Sequence, residues 1–397
     1  MNKGLRFTHT IGACCAAYIT QSIVINFVPL LFVMFNNKYS VSLAQISALI
    51  TLTFLLQLAV DFSSAPIVRR FGYRKCVIAA HFLAAAGLIM LGILPDILPN
   101  PYIGILTACI FYSCGSGLIE VIVSPLTEAC PGEHKASQMA FLHSFYCWGT
   151  VLVVFASTMF FVLFGIENWR MASISWALLP IVNAFFFMRV PIPDMEETEE
   201  RRMTELLRTP IMWVIIILMI CSGAAELAMS QWASAFAECA LGVSKTLGDL
   251  AGPCMFAVLM GTGRIVYSKL VKKVDFMKYM MICAVLCIIS YLLAVFSPQP
   301  VFALIGCAMT GFAVGVFWPG TFSFATAGIP TGGAAMFGLL AFAGDAGCTI
   351  GPAVVGYVSG IFGDNLKAGL LAAIIFPAIL LFISMILAVK KEKRKQI

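Results

Sequence analysis

Charge is what this chain has least of. Only 11% of its 397 residues are Asp, Glu, Lys or Arg, against 61% hydrophobic, roughly the reverse of what a water-soluble surface needs. A soluble domain of this size has nowhere to hide so much apolar area, whereas a bilayer solvates it from outside. Histidine is scarce as well, with four in the chain, and the fourteen cysteines contain no CxxC pair. These shortages exclude the usual zinc ligand sets and give no basis for a disulfide framework. The cysteines inside apolar runs, among them Cys14, Cys15, Cys109, Cys114, Cys283 and Cys287, read as small apolar fillers. No nucleophile–base constellation stands out, so neither an enzyme nor a resident metal or cofactor is expected. The net charge of +6 is not a nucleic-acid footprint, because the basic residues form short clusters between apolar runs, as topology signals do. No cleavable signal peptide is evident, since the first apolar run is long enough to span and no small-residue cleavage site follows it.

Apolar runs are what the chain does have. A spanning helix needs roughly 20 mainly apolar residues. The first half offers six such runs, at 11–35, 43–65, 76–94, 102–126, 138–164 and 169–190. A polar stretch at 191–209 follows, carrying Asp194, Glu196, Glu197, Glu199, Glu200, Arg201 and Arg202. Six more runs lie at 210–237, 248–270, 277–296, 301–326, 334–362 and 366–389. The organisation expected is a six-helix bundle over 1–190, a cytoplasmic linker over 191–209 and a second six-helix bundle over 210–397 ending in a basic tail.

Lys and Arg set the orientation. They crowd the N-terminus (Lys3, Arg6), the second-to-third connection (Arg69, Arg70, Arg74, Lys75), the linker, the eighth-to-ninth connection (Lys269, Lys272, Lys273, Lys278) and the tail (Lys390, Lys391, Lys393, Arg394, Lys395). The opposite connections carry only Lys38, Arg170, Lys245 and Lys367. By the positive-inside rule both termini are cytoplasmic, which demands an even helix count. The halves also echo one another: Gly117 precedes Pro125 by the same interval as Gly311 precedes Pro319, and the two basic connections correspond. Paired halves are how many secondary transporters are built, with the solute site at the midplane between them.

An ionisable side chain inside a spanning helix is costly and usually functional. Glu120 lies deep in GSGLIEVIVSP, with Ser116 and Ser124 one turn away on either side. Apolar surroundings disfavour its charged form, so it would take up and release a proton or touch a ligand; the plainer role is a structural acid that fixes helix packing. Glu226, in CSGAAELAMSQW, is flanked by Ser222 and Ser230 and followed by Gln231 and Trp232. It is a candidate for substrate or cation contact, or for an interhelical hydrogen bond. Asp345, in AFAGDAGCTIGP, is a further candidate, on a helix that its glycines would loosen into a hinge. Asp61 sits nearer the cytoplasmic end of the second helix and is expected to pair with loop cations as part of a gate. Arg69, Arg70, Arg74 and Arg264 are placed in the same gating group. His143 in MAFLHSFYCWG, with Tyr146 one turn on, is a binding candidate or a packing residue. In the first helix Tyr18, Ser22 and Asn26 share a face, with Gln21 beside it. Trp318 precedes a proline that should distort the tenth helix. Indole faces suit the C–H faces of sugar rings, and amides and hydroxyls suit their hydroxyls, so Trp148, Trp232 and Trp318 are candidates that packing would explain equally.

The six-linker-six plan and the segment RRFGYRK, Arg69 to Lys75, resemble the major facilitator superfamily and its signature between helices two and three. The family's loop Asp, three residues before the Gly, is replaced here by Arg69. Within the superfamily the sequence is similar to the fucose permease-like sugar–proton symporters. Their fourth-helix Glu before an Asn-Pro pair resembles Glu120, Ser124 and Pro125. Their fifth-helix Gln-x-Phe-x-x-x-Gly resembles His143, Phe145 and Gly149, and their tenth-helix Phe-Pro-x-x-Phe-Ser resembles Trp318, Pro319, Phe322 and Ser323. The resemblance implies proton coupling at Glu120 and sugar contact at His143. The group's first-helix Asp has no counterpart, since only Asn26 and nearby uncharged residues stand there, so Glu226 is the candidate second acid.

The fold expected is therefore an all-α membrane protein of twelve transmembrane helices in two six-helix bundles. The function expected is proton-coupled uptake of a sugar or related polar metabolite by alternating access, in a monomer of the bacterial inner membrane. Sodium is the other coupling ion considered. The alternative function is a proton- or sodium-coupled exporter or antiporter of an amphipathic small molecule, whose varied shapes a Phe- and Met-rich cavity would accept.

Overall fold

The computed structural model describes residues 5–131, 135–193, 203–270, 276–329 and 333–395. The charged stretch 194–202, together with Lys3, Lys272 and Lys273, lies outside them, as do the side chains of Lys269 and of the basic tail from Lys390.

Among the described residues, twelve helices are long and apolar enough to cross a membrane. They are α1 (Phe7–Tyr39), α2 (Leu43–Ser64), α3 (Tyr73–Ile97), α4 (Pro101–Ala129), α5 (Phe141–Phe164), α6 (Ile166–Phe187), α7 (Pro210–Ala240), α8 (Lys245–Tyr267), α9 (Phe276–Phe296), α10 (Pro300–Ala325), α11 (Gly338–Ile361) and α12 (Leu366–Val389). The all-α membrane fold expected from the apolar runs is the fold observed. The chain divides into two compact units, residues 1–45 with 52–197, and residues 46–51 with 198–397.

Local chemistry sets the helix ends. Ser42 and Gln45 form a reciprocal capping box at the start of α2. Asn100 accepts from the Tyr102 N–H at the start of α4, where Pro101 needs no donor partner. Between α2 and α3 the chain turns on Gly72 at φ 82°, a left-handed conformation that costs glycine little. Arg74, just beyond, donates to the backbone carbonyls of Phe187 (2.7 Å), Met188 (3.1 Å) and Val190 (2.9 Å). The orphan carbonyls at the end of α6 are thereby satisfied.

In the first unit α1 is the most enclosed span. Ala13, Cys14 and Ala17 meet Val77 and Ala80 of α3 and Ile119, Ile122 and Val123 of α4 in one apolar core. His81 of α3, fully buried, donates from Nδ1 to the Val77 carbonyl (2.7 Å) and accepts the Asn183 amide of α6 at Nε2 (2.9 Å). The same amide reaches the Ala13 carbonyl (3.0 Å), so one polar knot joins α1, α3 and α6. At the other end of these helices Arg170 pairs with Asp96, and Tyr39 donates to Asp96 (2.8 Å).

In the second unit α7 is the most enclosed span, and it lies directly on α11. A Cβ at Gly347 would strike the Ile220 carbonyl, and one at Gly351 the Ala224 carbonyl. The α11 glycines are therefore close-contact positions in a helix that runs unbroken over Gly333–Ile361. Around Asp345, where a loosened helix was expected, the helix is continuous and its glycines serve backbone approach. The distortion expected at Pro319 is present: α10 is broken after Val314 and resumes at Phe317. Two π-helical turns, Phe236–Ala240 and Leu250–Cys254, widen the facing ends of α7 and α8.

Candidate functional site

The polar face of α1 meets two partners. Tyr18 OH and Ser124 Oγ of α4 are 2.9 Å apart. One turn on, Ser22 Oγ donates to the Tyr146 carbonyl of α5 (2.6 Å) and lies 3.1 Å from Thr150 Oγ1. Asn26 Nδ2 donates to the Ser22 carbonyl (3.0 Å) and to Thr150 Oγ1 (3.2 Å). Gly149 permits this approach, since a Cβ there would stand 2.9 Å from that of Ser22. Gln21, between the two contacts, is 3% exposed, and its Nε2 donates to Glu120 Oε2 at 2.5 Å. Its Oε1 is buried and has no hydrogen-bond partner among the described residues.

Glu120 is half-buried on α4, with Ser116 and Ser124 a turn away. Ser116 accepts from Gln57 Nε2 of α2 (2.9 Å). The carboxyl of Asp61, one turn beyond Gln57, is near enough for its charge to act on Glu120. His143 is exposed, and its ring centroid lies 5.2 Å from that of Tyr18. Gln21, Asn26, Ser124, His143, Tyr146, Asp61 and Glu120 are thus gathered in the first unit on α1, α2, α4 and α5. Gln57 and Thr150 complete the lining and were not singled out from the sequence. The i, i+4 spacing of Gln57 before Asp61 was the signal available for the first; Thr150 carries none. Arg69 and Arg70 are exposed, and Arg70 lies over the Phe71 ring. Arg74 is occupied with the α6 carbonyls.

The second unit places its candidates differently. Glu226 of α7 is 5% exposed, its Oε2 has no hydrogen-bond partner among the described residues, and the half-buried Arg264 of α8 supplies the opposing charge. Asp345 of α11 is equally enclosed, and its own carbonyl accepts from Thr349. Gln231 is buried. Trp232 is fully buried, with Nε1 donating to the Pro352 carbonyl (3.1 Å), so its indole ties α7 to α11 instead of presenting a face to a solute. Trp318 is half-buried against Gly344, with Phe322 alongside. Trp148, by contrast, is exposed on α5. A half-buried cluster that sequence reading missed sits where α7 and α8 meet: Lys245 Nζ reaches the buried Asp249 at Oδ2 (2.9 Å) and Glu238 Oε1 (3.4 Å), and Ser234 donates to Asp249 (2.5 Å).

No group of three or more His, Cys, Asp or Glu able to hold a metal occurs among the described residues. What the first unit offers is a carboxyl held by an amide within a lining of hydroxyls and carboxamides.

The twelve apolar helices are those of a polytopic membrane protein. The sequence profile of the Major Facilitator Superfamily matches residues 10–352, and the chain belongs to that family. No curated protein sequence matches it significantly. Among solved structures it is similar to the Escherichia coli fucose:proton symporter FucP, with a TM-score of 0.64 and 16% identity over 95% of this chain and 98% of that one. It is also similar to a bacterial homologue of the human lysosomal transporter Spinster in its inward-facing, unoccupied conformation (TM-score 0.79, 13% identity, 97% of each chain). The nucleoside transporter NupG is a third (0.74, 13%, 96% of this chain and 98% of that one). At these identities the likeness shows a shared fold.

Proposed function

We propose that this transporter imports a sugar or a related polyhydroxylated metabolite together with protons, and that Glu120 carries the coupling proton. The observation that supports this reading most is the Gln21–Glu120 contact at 2.5 Å, set among Tyr18, Ser22, Asn26, Ser124 and Thr150. Hydroxyls and carboxamides both donate and accept, as the hydroxyls of a sugar do, so they match a neutral polyol without requiring charge on it. The Glu120 carboxyl, held by Gln21 in the same lining, changes charge with a proton. Protonation removes a charge that is costly to carry through a water-poor interior, and a bound proton shifts the transport equilibrium by its differential affinity for the two facing states. The fucose:proton symporter among the structural neighbours is in keeping with that chemistry.

The test uses purified protein in proteoliposomes with an imposed pH gradient, acid outside. Radiolabelled sugars and polyols, first ranked by the melting-temperature rise they cause, are offered one at a time. At least one should accumulate above its equilibrium level and lose that accumulation when a protonophore collapses the gradient. Efflux against a proton gradient in place of uptake would overturn the import reading. Accumulation that follows sodium at fixed pH would overturn the proton.

A further inference from the structure

Contacts on either side of Gln21 fix its place on α1. Tyr18 is engaged with Ser124 of α4 at 2.9 Å, and Ser22 donates to the Tyr146 carbonyl of α5 at 2.6 Å, an approach that Gly149 permits. Between them Gln21 Nε2 donates to Glu120 Oε2 at 2.5 Å. The other end of the amide is left over. Oε1 is buried and has no hydrogen-bond partner among the described residues, on a side chain only 3% exposed. A buried acceptor without a donor is costly, and in a native fold it calls for a reason. Asn26, farther along the same helix, shows the contrast: its Nδ2 is spent on the Ser22 carbonyl and the Thr150 hydroxyl, groups that keep their charge at any working pH. Gln21 is set against a group that does not. A carboxamide turned end for end keeps its shape and exchanges donor for acceptor. Ionised Glu120 only accepts, so Nε2 must face it. Protonated Glu120 has an O–H to give, and Oε1 turned toward it gains the donor it lacks.

We propose that Gln21 is a positioning residue that partners Glu120 in both charge states, donating from Nε2 to the carboxylate and, turned over, accepting at Oε1 from the carboxylic acid. The proton is taken from water by Glu120 and returned to water; Gln21 gains and loses none. With Glu120 ionised, the end of the amide that points away from it is an acceptor. With Glu120 protonated, that end is a donor. A proton on α4 is thereby converted into an exchange of acceptor for donor on α1, without movement of either helix. A polar group beside that end, a solute hydroxyl included, has a different partner in each state, and such a difference is what couples two binding events. This inference rests on the proton-coupled reading and adds to it a local link between charge and hydrogen-bond pattern. The other ionisable groups on the elements around Glu120 are Asp61 of α2, whose charge acts on it, Tyr18 of α1, His81 of α3, bonded to Val77 and Asn183, and His143 and Tyr146 of α5. The thiols of Cys14, Cys15, Cys109, Cys114 and Cys147 complete them. All are common to the wild type and a Gln21 variant, so a difference between the two reports Gln21.

The experiment needs no solute. Full-length protein in lipid nanodiscs is titrated with acid and base while infrared spectra are recorded, and the carboxylic-acid carbonyl band that E120Q removes is assigned to Glu120. Q21L then takes away both ends of the amide at little change in size; Q21M replaces it if Q21L is not monodisperse. Loss of a donor to the ionised form alone would displace the titration midpoint by about one to two units, the worth of a hydrogen bond to a charged group. Loss of a partner from both forms has opposing effects, so the midpoint should stay within one unit of the wild type. The band itself should move to higher frequency in Q21L, because the acid no longer donates to a carbonyl. A glutamine that only packed α1 on α4 would leave the band in place. A midpoint displaced beyond one unit, an unmoved band, or no band removed by E120Q would overturn the two-way role. A held midpoint and a moved band without gradient-driven sugar uptake would sink the sugar reading and leave Gln21's role standing. Gradient-driven uptake with an unmoved band would do the reverse.

Discussion

Glu120 and Glu226 are both carboxyls inside apolar helices, and their neighbours set them apart. Glu120 has an amide donor and a second acid; Glu226 has the guanidinium of Arg264. The charge of Arg264 offsets part of what it costs to enclose Glu226, and removing it from one side leaves that acid without compensation. R264M should therefore lower the melting temperature of the purified protein sharply, and adding E226Q should recover at least half of the loss. Equal destabilisation in the single and double variants would show that the two groups are not partners. Little of this was legible in sequence. The spacing of Ser116, Glu120 and Ser124 revealed a polar stripe, and Tyr18, Ser22 and Asn26 revealed another. Which stripe met which, and that Gln57 and Thr150 joined them, depended on helix rotations that no local pattern encodes. Trp232 shows the opposite failure: its sequence context suited a solute face, but its N–H is spent on the Pro352 carbonyl.

Among the elements, α7 and α11 are joined by glycine. The run of glycines around Asp345 read as a loosening of α11, because glycine weakens an isolated helix. Against α7 the same residues permit close backbone contact. G347V would drive a branched side chain into the Ile220 carbonyl, and the expected outcome is loss of the monodisperse species on size-exclusion chromatography. Gly360, with open space around its Cβ position, should accept alanine with the elution profile unchanged. Arg74 is the corresponding device at the end of α6. R74A removes donors from three carbonyls and should cost about 1.5–3 kcal/mol, the range for a hydrogen bond to a charged group. R74K, a point charge without the planar fork, should recover only part of that in a thermal melt. A break was more readable than the contacts: Pro319 foretold the interruption of α10, since it acts through its own backbone.

At the scale of the whole molecule, hydropathy carried most of the information. The twelve apolar runs correspond to twelve helices, among the described residues, that are long and apolar enough to span, because in lipid the backbone must satisfy itself within each segment and run length alone then identifies the element. The distribution of Lys and Arg adds an orientation, and alkaline phosphatase fused after Val389 should be inactive in intact bacterial cells, whereas fused after Ile97 it should be active. The functional claim stands on one carboxyl, so its most direct test is transport by E120Q in proteoliposomes loaded with a solute that the wild type accumulates. With the coupling proton site neutralised, E120Q should exchange labelled for unlabelled solute at near wild-type rates and accumulate none under an acid-outside gradient. Accumulation by E120Q equal to that of the wild type would contradict the account.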